Sequence, residues 1–505
     1  MSRKQLDYKT TETRDPSPVA QRRKTMERNY AWKKYQDNKD MKKVMDFAEG
    51  YKSFLSECKT ERECCKFFEK KARDNGFISI EEAIDKGKKL KAGDRVYATN
   101  MGKEIALFVI GKEDIADGMN ILGAHIDSPR LDLKQNPLYE DTGMAYLDTH
   151  YYGGIKKYQW VTMPLALHGT IAKTDGTSID FVIGEDEEDP VFCITDLLPH
   201  LSADQLTKEA KKVIEGEDLN ILVGSIPQDN NDNDKDAKAT KDTVKKNILK
   251  IIIDYMNSFD KKTGNGKYEY KEEDFMSCEV EVVPAGKARD MGFDRSLILG
   301  YGHDDRVCSY PTVEAVLRAK KPRRTVCGLL VDKEEIGSVG ATGMSSRFFE
   351  NVVAELINLT GDYSDLYLRR ALSNSYAISS DVSGGYDSIY SSAFEKNNSA
   401  YLGKGFAVNK YTGARGKSGS NDASAEYMGK IRGIFEGNDI YFQTAELGKV
   451  DQGGGGTIAY IFGNYNMNVI DGGVAVLSMH APFEVISKVD LYEAYKAYVA
   501  FAQEA

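Results

Sequence analysis

The chain has no run approaching the ~18 consecutive apolar residues that a membrane span requires, which excludes a helical membrane anchor within it. Its N-terminus, MSRKQLDYKTTETRDPSP, lacks the apolar core of a secretory signal. Basic charge is not in excess either. Lys and Arg number 68 against 78 Asp and Glu, and the formal net charge of −10 argues against a nucleic-acid partner, which a basic face would normally hold. No CxxC pair occurs among the seven cysteines, and adjacent Cys64 and Cys65 are poorly placed for an ordinary bridge. Reduced thiols and a cytoplasmic location are the economical reading. No histidine is followed by glutamate, so the HExxH zinc helix is absent. GARGKSGS (413–420) contains Gly-Lys-Ser, but a phosphate-binding loop needs glycine at position 411, where Tyr411 stands. GGGGT (453–457) has neither a following lysine nor a GxGxxG pattern. Both stretches read as places where backbones approach closely or turn. Histidine is scarce: there are six, so each can be weighed singly.

What is present is enough for a large core. At 505 residues and 41% hydrophobic content, the chain suits two or three domains. Residues 1–25 are charged and read as a loose arm. Val44, Phe47, Ala48, Tyr51, Phe54, Leu55 and Cys58 then recur at three- and four-residue spacing, one face of an amphipathic helix packed on a core. Thr60 with Glu63 is a capping box for a second helix. Beyond it, short apolar runs alternate with helical stretches such as 311–319, the pattern of an α/β sheet covered by helices. Between 137 and 285 the character changes: segments 165–171 and 179–183 read as antiparallel strands, and QDNNDNDKDAKATKD (228–242) as a solvated loop. The expected organisation is a discontinuous α/β domain, 1–136 and 286–505, interrupted by a mostly β insertion, 137–285.

Five strand-like runs each end in a potential ligand. Residues 120–124 lead into His125, Asp127 and Ser128; 325–331 into Asp332, Glu334 and Glu335; 377–380 into Asp381; and 474–477 into His480. Residues 297–299 lead, after GYGH, into Asp304 and Asp305. The carboxyl ends of strands in open α/β sheets are where ligands bind, so the five ends are expected to converge. Two histidines with several carboxylates suit zinc, or a similar ion such as cobalt or manganese. They are too many for one open tetrahedral site and suit two divalent ions about 3.5–4 Å apart.

Each piece alone has a plainer reading. Glu-Glu doublets also occur at 81–82, 187–188 and 272–273, where a solvated face explains them. Glu334–Glu335 differs by following an apolar run and preceding IGSVGATG. His125 and His480 each read equally as satisfied buried histidines, and Asp381 as a turn cap. Asp127 is placed to accept the second ring N–H of His125, as metal-bound histidines require. His150, His168, His200 and His303 are read as non-ligands.

GAHIDSPR, the DDR of GHDDRVCSY, DKEEIGS, the SSD before VSGG, and SMHAPFE together resemble the aspartyl aminopeptidase/aminopeptidase I family of two-metal aminopeptidases, in that family's order and over most of the chain. The resemblance implies a three-layer, zinc-peptidase-like catalytic domain with a dimerisation insertion, assembly into hollow tetrahedral dodecamers, and peptide substrates with a free N-terminus. It implies that His125 and His480 are terminal ligands, one per metal. Asp304 would bridge, its bond to Asp305 being cis as in related enzymes, and Glu335 and Asp381 would complete the set. Glu334 would be the general base, the two adjacent glutamates pointing apart as neighbours in extended chain do. Animal relatives carry histidines just after the third carboxylate motif, whereas VSGGYDSIY has none, which favours a broader or neutral preference for the N-terminal residue. Lys410, Arg415 and Lys417 fall where such enzymes place basic substrate contacts, or form a solvated basic loop. The rival readings are another two-metal amidohydrolase, such as a carboxypeptidase or deacylase, and a non-catalytic scaffold.

Overall fold

A computed structural model describes residues 30–228, 242–263 and 268–505. The arm expected at 1–25 and most of the solvated run at 228–242 lie outside the described residues. A nine-stranded sheet forms the centre, in the order Ile78–Ser79, Arg95–Asn100, Glu104–Val109, Thr325–Val331, Met119–His125, Tyr376–Ser380, Asn468–Gly473, Phe406–Asn409, Phe442–Thr444. Its four middle strands, from Thr325–Val331 to Asn468–Gly473, are all parallel. They are almost wholly buried and mostly apolar, as covered parallel strands are. Along Met119–His125 the side chains alternate between the two faces. Leu122 and Ala124 join a core with Tyr51, Phe54 and Phe501, while Met119 and Ile121 join one with Phe349, Leu356 and Phe462. Helices Asn38–Glu57, His303–Arg318 and Lys488–Glu504 contribute to the first layer, and Phe348–Thr360 to the second. The central part is thus a three-layer α/β fold.

Thr60 caps the helix Glu61–Asp74 through a reciprocal box with Glu63, as its spacing predicts. The alternating region forms a six-stranded antiparallel sheet: Ser178–Ile183, Leu165–Ala172, Cys278–Pro284, Arg130–Asp141, Met144–Tyr152, Ile221–Gly224. The sheet starts at Arg130, ahead of the expected 137, because the chain enters it directly after the His125 motif. It also packs a long helix, Thr243–Thr263.

One expectation needs correction. Only three of the five ligand-bearing runs end in the central sheet. Leu297–Gly300 and Ala475–Leu477 belong to a separate five-stranded sheet, with Arg289–Met291, Glu484–Ser487 and Ser383–Gly384. The chain leaves the central sheet at Gly473 and enters the smaller one at Ala475, and Ser383 pairs there with Ala475. The two sheets therefore meet at the ends of the Asp381 and Asn468–Gly473 strands. Convergence is produced by a junction of sheets rather than by a single edge.

Candidate metal centre

Register places the first candidate ligands side by side. Val331 pairs with His125 and Ser379 with Gly123, so Glu334, Glu335 and Asp381 emerge beside the His125 strand end. Asp304 comes from the other sheet. Gly302 adopts a left-handed conformation (φ 73°), and Asp304 and Asp305 are non-helical before the helix that follows. The Asp304–Asp305 peptide bond is cis. His480 sits in a left-handed turn (φ 63°) just after Ala475–Leu477.

These elements bring all six predicted side chains together. His125 Nε2 lies 3.2 Å from Asp304 Oδ1, and 4.0 Å from both Glu334 Oε2 and Asp381 Oδ1. His480 Nε2 lies 3.2 Å from Asp304 Oδ2 and 3.4 Å from Glu335 Oε2. Both rings are anchored through Nδ1. That of His125 is 3.1 Å from the Asp127 carbonyl and 3.2 Å from its carboxylate, and that of His480 is 3.0 Å from the Gly154 carbonyl. A carbonyl only accepts, so Nδ1 donates in each ring and Nε2 is the atom turned to the cluster.

The adjacent glutamates do diverge, but not as residues in extended chain. Glu334–Ile336 is a single 3-10 turn, entered through Lys333 in a left-handed conformation (φ 66°). The turn is pinned by Asp127, whose Oδ1 accepts the Glu334 N–H and whose Oδ2 accepts the Glu335 N–H, each at 3.2 Å.

The donor set fits cations. Asp304, Glu334, Glu335 and Asp381 have histidines as their only ion-pair partners among the described residues, with no lysine or arginine. Buried Glu335 Oε1 has no hydrogen-bond partner. Burial and mutual repulsion drive Glu335 and Asp381 well above the usual carboxylate range, and Glu334 up to about 7, with Asp127 and Asp304 adding to it. Burial opposes ionisation of Asp304 too, but the two histidines outweigh it and hold its carboxyl low. Such a cluster of buried acids calls for positive charge.

The other histidines lie elsewhere. His303 bonds to the Tyr51 hydroxyl and the Ile298 carbonyl, and burial lowers it to about 3. His168 is held between Glu63 and Glu185, and His150 and His200 are exposed. Three contributors escaped the sequence reading. Glu484 accepts the backbone N–H of Asp304 (3.0 Å) and of His480 (2.7 Å), tying the two loops together. It ends the SMHAPFE motif, a signal that could have exposed it. Tyr152 donates to Asp127 Oδ2 at 2.8 Å, and Gly154 meets His480; both lie far from the motifs in sequence and carried no signal.

Beside the segment after Asp381 is a cavity of about 320 Å³ lined by Tyr411, Arg415, Lys417, Glu446, Leu447 and Lys449, among others. Leu447 reaches to 2.5 Å from where a Gly384 Cβ would stand. The two glycine-rich stretches pack backbone on backbone here: Gly413 donates to the Gly455 carbonyl, and a Cβ on Gly454 would sit 1.9 Å from the Gly413 carbonyl oxygen. Lys410 and Lys417 both pair with Asp422.

Residues 54–502 match the model of the aminopeptidase I zinc metalloprotease (M18) family. A probable M18 family aminopeptidase 1 of Clostridium acetobutylicum is 57% identical over 93% of this chain and 97% of its own length. The crystal structure of an M18-family aminopeptidase from Thermotoga maritima superposes with a TM-score of 0.86 at 41% identity, covering 95% of this chain and all (100%) of that one. A solved dodecamer of mApe1 from S. cerevisiae shares the fold, with a TM-score of 0.70 at 18% identity over 90% of this chain and 96% of that one.

Proposed function

This chain belongs to the aminopeptidase I zinc metalloprotease family, M18, and from that premise we propose that its cluster holds two divalent ions, probed most directly with zinc. It is a zinc-dependent aminopeptidase, a hydrolase of peptide bonds. The observation that carries the two-ion reading is Asp304, whose two carboxylate oxygens each face a different histidine at 3.2 Å. Asp304 would bridge. His125 and Asp381 would complete one ion's protein ligands, and Glu335 and His480 the other's.

When bound, two such ions lower the pKa of a shared water and polarise the scissile carbonyl. The chain's own residues supply the rest. Glu334, near His125 but bonded to neither ring, takes a proton from the attacking water and returns it to the leaving amine. Asp127 holds His125 and the Glu334–Glu335 turn in one orientation. Glu484 fixes Asp304 against His480. The cavity lined by Arg415, Lys417 and Leu447 is a candidate subsite for substrate. The lack of histidine in VSGGYDSIY, with Lys417 engaged by Asp422, supports a broad or neutral preference over strict selection of acidic residues.

We also propose assembly through the six-stranded sheet region, taken as 137–285. It interrupts the ligand-bearing fold, supplies none of the five ligands, and exposes Val191, Leu197, Leu198, Leu201 and Leu206. A cytoplasmic location agrees with seven free cysteines. No helix among the described residues is long and apolar enough to cross a membrane.

Metal analysis alongside hydrolysis of an aminoacyl-nitroanilide and peptide panel tests the reading. Up to two ions per chain are expected, with chelation abolishing hydrolysis and zinc, cobalt or manganese restoring it. Free-N-terminus peptides should be cleaved and N-acetylated ones spared. Full activity in metal-free protein defeats the metal reading, and preferential cleavage of N-acetylated or C-terminal substrates would favour the deacylase or carboxypeptidase alternative.

A further inference from the structure

The six-stranded sheet is more than an appendage, because its strand Met144–Tyr152 runs directly into the metal centre. Tyr152 is buried, and its hydroxyl donates to Asp127 Oδ2 at 2.8 Å. The Arg130 guanidinium lies 3.9 Å from the centre of the Tyr152 ring and fixes the ring's plane. Two residues on, the Gly154 carbonyl takes the Nδ1 hydrogen of His480 at 3.0 Å. Between them Gly153 adopts a left-handed conformation (φ 76°). A Cβ there would stand 3.3 Å from Pro129 and 3.4 Å from Glu335, and one on Gly154 would stand 3.3 Å from His480 Nδ1. The turn therefore lies against both ends of the cluster with little room for side chains.

We propose that the Tyr152–Gly154 turn is a working wall of the active site, in which Tyr152 and Gly154 act as positioning residues for the chemistry. The proposal rests on the two-ion reading above. Asp127 is the node through which Tyr152 acts. Its carboxylate accepts from the Glu334 and Glu335 N–H groups, lies beside His125 Nδ1, and accepts from Tyr152 as well. Four neighbours hold its orientation, and removing the tyrosine hydroxyl leaves Oδ2 held by the Glu335 N–H alone. Gly154 sets the plane and tautomer of the second histidine, the role that outer hydrogen-bond partners play for ligating imidazoles. One face of the centre is thus held by the catalytic fold and the other by the six-stranded sheet. A displacement of that sheet would reach His125, Glu334, Glu335 and His480 together.

Holoenzymes of wild type, Y152F, G154A and Y151F test this by kinetics and by metal retention against graded chelator. Tyr151 is the half-exposed neighbour in the same strand and serves as the control. Y152F keeps the ring over Arg130 and should lower kcat and metal retention about 10–100-fold, the range for outer-shell partners, with KM within about twofold. G154A presses on His480 and should weaken retention of one of the two ions, with partial recovery of rate in excess metal. Y151F should match wild type. Y152F and G154A with wild-type kcat and retention would overturn the proposal. Thermal unfolding guards against misfolding: loss of rate in a Y152F protein that melts well below wild type and regains nothing in excess metal also counts against it. A wild-type protein that is active without metal defeats the two-ion reading instead, so the two failures are distinguishable.

Discussion

Glu334 and Glu335 are adjacent, yet Glu334 Oε2 faces His125 at 4.0 Å and Glu335 Oε2 faces His480 at 3.4 Å. The 3-10 turn pinned by Asp127 separates them, and their chemistry should separate likewise. Glu334→Gln preserves shape and removes the base. Both ions should stay while kcat falls about 10²–10⁴-fold, with KM little changed because ground-state binding is untouched. Glu335→Gln removes charge from a ligand, so one ion should bind less tightly and excess metal should restore part of the rate. Metal stoichiometry beside steady-state kinetics decides it. Loss of metal from Glu334→Gln alone would reverse the assignment, and retention of metal and rate in both variants would remove the doublet from the site.

At the scale of elements, the strand Met119–His125 carries the first proposed ligand and has little slack. A Cβ on Gly123 would stand 2.7 Å from the Phe462 ring, so the strand lies flush on that ring two residues before His125. Gly123→Ala should therefore overpack the interface at a cost of about 1–3 kcal/mol, lower the melting temperature and reduce kcat/KM by shifting His125. Adding Phe462→Leu should recover part of both. An unchanged melting temperature for Gly123→Ala would mean the layer yields freely. The capping box at Thr60 and the short apolar runs of the central strands were readable because each depends on residues a few positions apart. Which sheet received Leu297–Gly300 and Ala475–Leu477 was not, since short buried strands look alike whichever partners they take.

Over the whole molecule, the start of helix Glu61–Asp74 meets the six-stranded sheet through buried charge. Lys59 Nζ, buried, bonds to Glu185 and to the Pro284 and Gly286 carbonyls. Arg130 faces Glu61 and Glu281, and Lys103 faces Glu61 and Glu279. His168 lies 2.7 Å from Glu63 on one side and 3.1 Å from Glu185 on the other. Burial works against a charged His168, but bonds to Glu185 and Glu63 prevail and raise its pKa above 6.5. Burial likewise opposes ionisation of the two glutamates, yet His168, with Lys59 beside Glu185, lowers both below 4.5. The raised histidine stabilises the fold fully below its unfolded value and loses that effect as pH climbs through its folded one. The lowered glutamates contribute above 4.5 and lose their effect as pH falls through their folded values. The junction is therefore tightest in mildly acidic solution. His168→Gln should depress the melting temperature more at about pH 6 than at about pH 9; equal losses would mean a neutral histidine. Light scattering should report many subunits, with twelve as the expectation from family resemblance, and a monomeric active enzyme would refute the assembly role.

The residues that gather in the cluster, the five proposed ligands and the neighbouring Glu334, were legible in the sequence as the polar ends of apolar runs. A buried strand and the polar residue that ends it are contiguous, and the periodicity that marks the strand is local. Asp127 was legible as the partner of His125 for the same reason, lying two residues away. The contacts that complete the site were not. His480 and Gly154 are 326 positions apart, Asp304 and Glu484 180, and Glu334 and Asp127 207. Tertiary structure alone decided which glutamate faces which histidine, and that two sheets rather than one edge supply the cluster. It also placed the Tyr152–Gly154 turn against the centre. Side-chain periodicity reports what the next few residues will do, whereas a hydrogen bond between distant segments exists only once the sheets between them have paired and packed.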